Sequence, residues 1–303
     1  MLRQAENKCR IEGILSEINL KYGSYVKNGA TVDNIGGDIK VLVNQEVNGE
    51  NKSLIIPIYM FASKLTNAGK PNPAYESIEK VMKEFTSIAS GAGESGADKV
   101  RITSASVKMN EYYNAQGQLV SFPRISASFV TKATGEFRPE ASWSLEFAVS
   151  SIDYVTDEDG VEVEPKKLRI KAIVPQYGGK VDTMEFFAEN PKVIDAITSY
   201  WENGKTYSAK GRLNFTSTTK EIIEECDFGE PDVKIRTISI SELIVTKGTQ
   251  APLEEDMAFA PAELAAALKE HKAYLETLKD KAKTKATPAP AGTSSNEAFD
   301  LGF

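Results

Sequence analysis

Rings and cations alternate at several places in this 303-residue sequence. In KYGSYVKNG (21–29), Lys21, Tyr22, Tyr25 and Lys27 interleave within a glycine-containing segment. In MNEYYNAQGQLVSFPR (109–124), Tyr112, Tyr113 and Phe122 precede Arg124. Tyr59 and Phe61 stand just before Lys64, and Tyr177 sits beside Gly178 and Gly179. An aromatic face stacks on any flat heterocycle, at about 1–3 kcal/mol per nucleobase whatever its identity, while an adjacent ammonium or guanidinium pairs with phosphate. Rings flanked by cations therefore have the chemistry to grip a single nucleic-acid strand without reading its sequence.

Three basic stripes add to this pattern. Side chains of a strand alternate between its faces. Lys167, Arg169 and Lys171 thus point away from the face that Leu168, Ile170, Ala172 and Val174 turn to a core. Lys210 with Arg212, and Lys99 with Arg101, make shorter stripes of the same kind.

Catalytic constellations do not emerge. Two cysteines and one histidine leave no disulfide framework, no thiolate or imidazole cage and little room for a Ser-His-Asp triad. GAGESG (91–96) matches a dinucleotide-binding fingerprint but precedes a strand instead of following one, so it reads as a flexible loop. Gly204-Lys205-Thr206 lacks the upstream glycine of a phosphate loop, and Asp153, Asp157 and Asp159 lack the closing glutamate of a calcium loop. The expectation is a non-enzyme without metal or cofactor.

The elements that must position these residues follow from periodicity. Alternating, β-branched runs predict strands at 8–20, 37–47, 52–61, 99–110 and 119–132, with a helix over 74–88 behind Pro71 and Pro73. The order then repeats: strands at 142–155, 166–175 and 180–188, a helix over 191–201 capped by Asn190, and strands at 205–215 and 234–246. ISASFVTKA (125–133) and ISISELIVTKG (238–248) close the two units alike. Five strands with a helix between the third and fourth is the connectivity of the OB-fold, whose strands 2 and 3 and whose 1–2 and 4–5 loops bind oligonucleotides; a pair of other small α+β domains fits the same pattern. The fold class expected is mainly β: two tandem OB-fold-like five-stranded barrels, each with one helix, followed by a C-terminal helix and a disordered tail. Domain boundaries fall at 1–139, 140–250, 251–285 and 286–303.

The net charge of −7 argues at first against a polyanionic partner. Its distribution is uneven. Residues 1–139 hold 17 Lys and Arg against 14 Asp and Glu, whereas the acids of the second unit crowd into DEDGVEVE (157–164) and EIIEECDFGEPD (221–232), which read as loops or hairpin tips. No run has the length of a membrane span and the first residues lack the apolar core of a signal peptide, so a cytoplasmic protein is expected.

Residues 261–283 show a helix pattern with Leu264, Ala267, Leu268, His271, Leu275 and Leu278 on one side, and His271 is expected at the edge of that stripe without special chemistry. A Pro-, Ala-, Ser- and Thr-rich linker then leads to EAFDLGF, which ends on Phe303. In this tip and in the barrel pattern the chain resembles single-stranded DNA-binding proteins of the bacterial and phage type, with two acids before the end and Gly302 where such tails usually carry proline. The resemblance implies that Phe303 fills a basic-rimmed pocket on a partner, and that Glu297 and Asp300 stand for the acidic run beside it. It further implies sequence-independent binding, coating and protection of single-stranded DNA in replication, recombination and repair. The tip would recruit replication or recombination proteins, in the host cytoplasm if the chain is phage-encoded. Two alternatives stay open: a single-stranded RNA binder, because stacking does not distinguish the sugars, and a protein-interaction or virion-assembly module built on OB-like barrels.

Overall fold

The computed structural model describes residues 2–47, 49–224 and 232–286, the side chains of 217–224, 232–238 and 283–286 excepted. The tip residues Glu297, Asp300 and Phe303, the linker before them, and most of the acidic stretch 221–232 lie outside the described residues.

The first unit is a closed ring. Strands β1 (Asn7–Lys27), β2 (Ala30–Val47) and β3 (Glu50–Ser63) form an antiparallel meander. After helix α1 (Pro73–Glu84) and the short helical turn α2 (Gly93–Gly96) come β4 (Lys99–Tyr113) and β5 (Leu119–Ser126). Strand β5 pairs in parallel with β3 and antiparallel with β4, and β4 returns to β1, giving the cyclic order β1-β2-β3-β5-β4. A two-residue strand, β6 (Thr131–Lys132), adds to the outer side of β4.

The second unit repeats the ring with β7 (Glu140–Tyr154), β8 (Leu168–Pro175), β9 (Val181–Ala188), helix α3 (Pro191–Tyr200), β10 (Thr206–Glu224) and β11 (Asp232–Gly248). Here β11 pairs in parallel with β9 and antiparallel with β10, and β10 closes on β7. Each ring thus has the strand order and the single parallel pairing of an OB-type barrel. Antiparallel pairing of residues 7–12 with 140–145 joins β1 to β7 and fuses both rings into one eleven-stranded sheet.

Strand β1 serves three neighbours, so its backbone must change partners near residue 13. Gly13 permits this: a Cβ there would meet the Leu42 carbonyl oxygen at 2.4 Å. Alternation fills the interiors, with Leu15, Ile39, Ile58 and Val107 fully buried in the first barrel and Phe147, Ile170, Phe186 and Tyr207 in the second. The helices plug the cores. Asn72 caps α1 by accepting from the Ala74 N–H, Pro73 starts it, and Ile78 and Val81 are buried. Asn190 caps α3 through the Lys192 N–H, with Ile194 and Ile197 inside and Trp201 stacked 5.0 Å from Tyr207. Helix α4 (Pro261–Ala286) lays Leu264 and Ala267 against the barrels.

Several sequence expectations change at this point. The segment 21–29 is not a loop: β1 and β2 extend over it as a ribbon from Lys21↔Gly36 to Lys27↔Ala30, turned by Asn28 and Gly29, both at positive φ. Two-residue turns of this kind match strand twist, and Asn-Gly is their favoured sequence. Likewise β4 and β5 extend through the aromatic segment 109–124 and leave only residues 114–118 as the turn. GAGESG holds one helical turn, and α1 ends at Glu84, four residues short of the expected end. The expected overlay of the two closing segments also shifts. Ile125 pairs with Ile58 and Leu243 with Phe186, so Leu243, not Ile238, is the counterpart of Ile125.

Candidate nucleic-acid interface

Strand β3 buries Ile58 and Met60, which forces Tyr59 and Phe61 onto the outer face. Next to them on β5, burial of Ile125 turns Arg124 outward. The Arg124 guanidinium lies 4.2 Å over the Tyr59 ring, a cation–π contact. Both groups are partly withdrawn from water, and that burial raises the Tyr59 phenol and lowers the Arg124 guanidinium from their ordinary pKa values. On the other side, Phe61 lies across Gly36, where a Cβ would come within 2.9 Å of the ring. Tyr25 on β1 reaches Phe61 with ring centroids 6.4 Å apart and holds Ser63 through its hydroxyl at 3.0 Å. Along the β4–β5 hairpin, Tyr112 and Phe122 meet edge to face at 6.5 Å, and Lys108 stands opposite Arg124. Tyr25, Phe61, Tyr59, Arg124, Phe122 and Tyr112 therefore share the outer side of β1, β3, β5 and β4, with Gly36 of the intervening β2 leaving room between Tyr25 and Phe61.

The remaining first-barrel candidates sit around this band or away from it. Tyr22 is exposed and donates to Glu79 of α1 at 2.7 Å; that carboxylate raises the phenol pKa and is itself 3.1 Å from Lys83. Lys27 reaches Asn67, Lys64 lies 3.7 Å from Asp33, Lys21 is exposed and Tyr113 is half-buried. Lys99 covers the Phe137 ring at 4.8 Å. Arg101 grips Glu12 with two hydrogen bonds of 2.8 Å, and Glu12 is fully buried. The guanidinium of Arg101, with the Arg138 N–H, holds the Glu12 carboxyl down at about 2. A cation so engaged makes an internal ion pair and has little left for phosphate.

In the second barrel Lys167, Arg169 and Lys171 do alternate with buried Leu168 and Ile170. Their surroundings are acidic. Lys167 lies 2.7 Å from Glu242 and 3.4 Å from Glu189 while covering the Phe187 ring, and Arg212 lies 2.5 Å from Glu189. Lys171 and Lys210 are exposed. Tyr177 is 81% exposed at the turn between β8 and β9. The turn 157–160 is closed by Asp157, whose carboxylate accepts from the Asp159 and Val161 N–H groups. Among the described residues no cluster of His, Cys, Asp and Glu is arranged to hold a metal ion.

Sequence reasoning missed one cluster. His271 of α4 does not sit idle at the stripe's edge; it lies 3.3 Å from Glu111 of β4, both side chains nearly buried. Asp182 of β9 is close by and accepts from the Met109 N–H at 3.1 Å. Burial pushes Asp182 up to about 6, and the Glu111 carboxylate raises His271. The three groups come from the first barrel, the second barrel and the terminal helix, so no local pattern could have joined them.

Rings of this order with an outward band of aromatics and cations define a protein of two OB-fold-like barrels. Residues 5–281 match the model of the YorF family, and the chain belongs to that family. No curated protein matches the sequence. Among solved structures, wild-type single-stranded DNA binding protein from Thermus aquaticus is 10% identical, with a TM-score of 0.49 over 83% of this chain and 96% of that one. A deletion mutant of the same Thermus aquaticus protein is 12% identical, with a TM-score of 0.45 over 83% and 97% of the two chains.

Proposed function

We propose that this protein binds single-stranded DNA independently of sequence, coating and protecting it, and that the first barrel supplies most of the grip. The observation that carries this reading is the continuous outer band in which Arg124 caps Tyr59 between Phe61 and Phe122. Stacking platforms joined to a guanidinium suit a strand whose bases are unpaired and whose phosphates pass alongside. Reversible coating needs no covalent chemistry. On the sequence of residues 297–303 alone, we extend the proposal to a tip in which Phe303, Asp300 and Glu297 recruit replication or recombination proteins in the cytoplasm.

Fluorescence anisotropy with labelled poly-dT at two salt concentrations tests the first part. Binding that weakens steeply with salt is expected, since each neutralised phosphate adds about 0.7 to the slope of log K against log salt for single strands. Absence of binding at micromolar protein and low salt refutes it and favours a protein-interaction module. Tighter binding to poly-rU would move the assignment to RNA. Deleting residues 296–303 should tighten strand affinity or leave it unchanged while abolishing partner pull-down.

A further inference from the structure

Among the described residues, 106–113 of β4 pair with β5 alone, so this hairpin projects past the first ring. It leans on the second barrel, where the Met109 N–H meets Asp182. Beside it runs a groove of about 950 Å³. One wall is Phe122 and Pro123 of the hairpin; Lys171, Thr183 and Phe187 line it from β8 and β9, and Ser241 from β11. The strand-2 and strand-3 face of the second barrel is thus completed by a piece of the first. Phe122 belongs both to this groove and to the aromatic band, through its contact with Tyr112.

We infer that a single strand passes from the first barrel to the second through this groove with its bases turned inward. The lining favours bases over phosphates. Phe122 lines the groove from the hairpin and Phe187, with Lys167 over one side of its ring, lines it from β9, and the Thr183 and Ser241 hydroxyls can donate or accept. Glu185 repels a phosphate there, while exposed Lys171 attracts the backbone to the rim. The inference rests on the proposed strand binding and adds a path and a second site to it.

The full-length chain is titrated with dT oligomers of about 8 and about 24 nucleotides, lengths chosen from the usual 4–16 nucleotides per barrel. Joining two sites on one strand should tighten the longer oligomer about 100-fold or more over the shorter. Phe187→Ala should weaken the longer one by roughly 5- to 150-fold, the equivalent of one stacked base, and leave the shorter unchanged. Ser239→Glu, at an exposed position on the groove, should do the same by adding a carboxylate, and it carries the test if Phe187→Ala fails to fold. A wild-type chain that gains nothing from length, or folded variants that keep the full gain, would overturn the passage while leaving strand binding intact. A loss at both lengths would also overturn it. No binding at either length would remove strand binding itself.

Discussion

Arg124 and Glu242 hold the same place in the two barrels. Each immediately precedes the residue of the fifth strand that pairs in parallel with the third, Ile125 with Ile58 and Leu243 with Phe186. Arg124 covers Tyr59, whereas Glu242 draws Lys167 over Phe187, the counterpart of Tyr59. One fold therefore presents a cation to the ring from its own fifth strand in the first unit and a neutralised ion pair in the second.

Reversing this relationship should reverse the binding balance. Arg124→Glu is expected to weaken poly-dT binding and lower the salt slope by about 0.7, the contribution of one phosphate. Lys167→Ala should change the slope by less, because two carboxylates already occupy that ammonium. Anisotropy titrations across a salt series measure both.

The rings should matter more than the peripheral charges. Tyr25→Ala and Phe61→Ala are each expected to cost about 1–3 kcal/mol of strand affinity, and less than additively, because the two rings touch. Equal binding by the double variant and the wild-type chain would exclude this face as the platform.

Arg101 should prove a stability residue. Arg101→Ala leaves the buried Glu12 carboxylate with the Arg138 N–H and the Arg10 guanidinium at 3.6 Å but without its bidentate partner, and it is expected to lower the midpoint of denaturant unfolding. Because the folded Glu12 titrates at about 2, below its ordinary value, the wild-type ion pair contributes above the unfolded carboxyl pKa. That contribution is lost as pH falls toward 2.

The stability of the contact among the two barrels and α4 should decline as pH rises. Asp182 titrates at about 6 in the folded chain, above its ordinary 3.8, so the folded state binds the extra proton and stability declines as pH climbs between these values. His271, raised by Glu111, acts in the same direction: its stabilisation is complete below the unfolded pKa and disappears as pH passes the raised folded value. Asp182→Asn keeps an oxygen for the Met109 N–H and removes the charge. Thermal unfolding between pH 4 and 8 should show a flatter profile for that variant than for the wild type.

Much of the architecture is legible in local patterns. The alternation of Leu168, Ile170, Ala172 and Val174 with Lys167, Arg169 and Lys171 fixes β8 and its outward side, because a strand repeats every two residues. Asn72-Pro73 and Asn190-Pro191 mark the starts of α1 and α3 by capping chemistry. Asn28-Gly29 is likewise a hairpin signal in the sequence, and it turns the paired ribbon over 21–29 that carries Tyr22 and Tyr25.

The sequence by itself determined which residues face outward and the order of the elements, since both follow from short-range periodicity and turn chemistry. Only the tertiary structure decided which outward cations remain available. Arg101, Lys167 and Arg212 look like Arg124 in their strands, yet Glu12, Glu189 and Glu242 reach them from positions 22 to 89 residues away. Charge pairing depends on distance in space, and ring closure sets that distance. The same closure brought His271, Glu111 and Asp182 together from three separate parts of the chain.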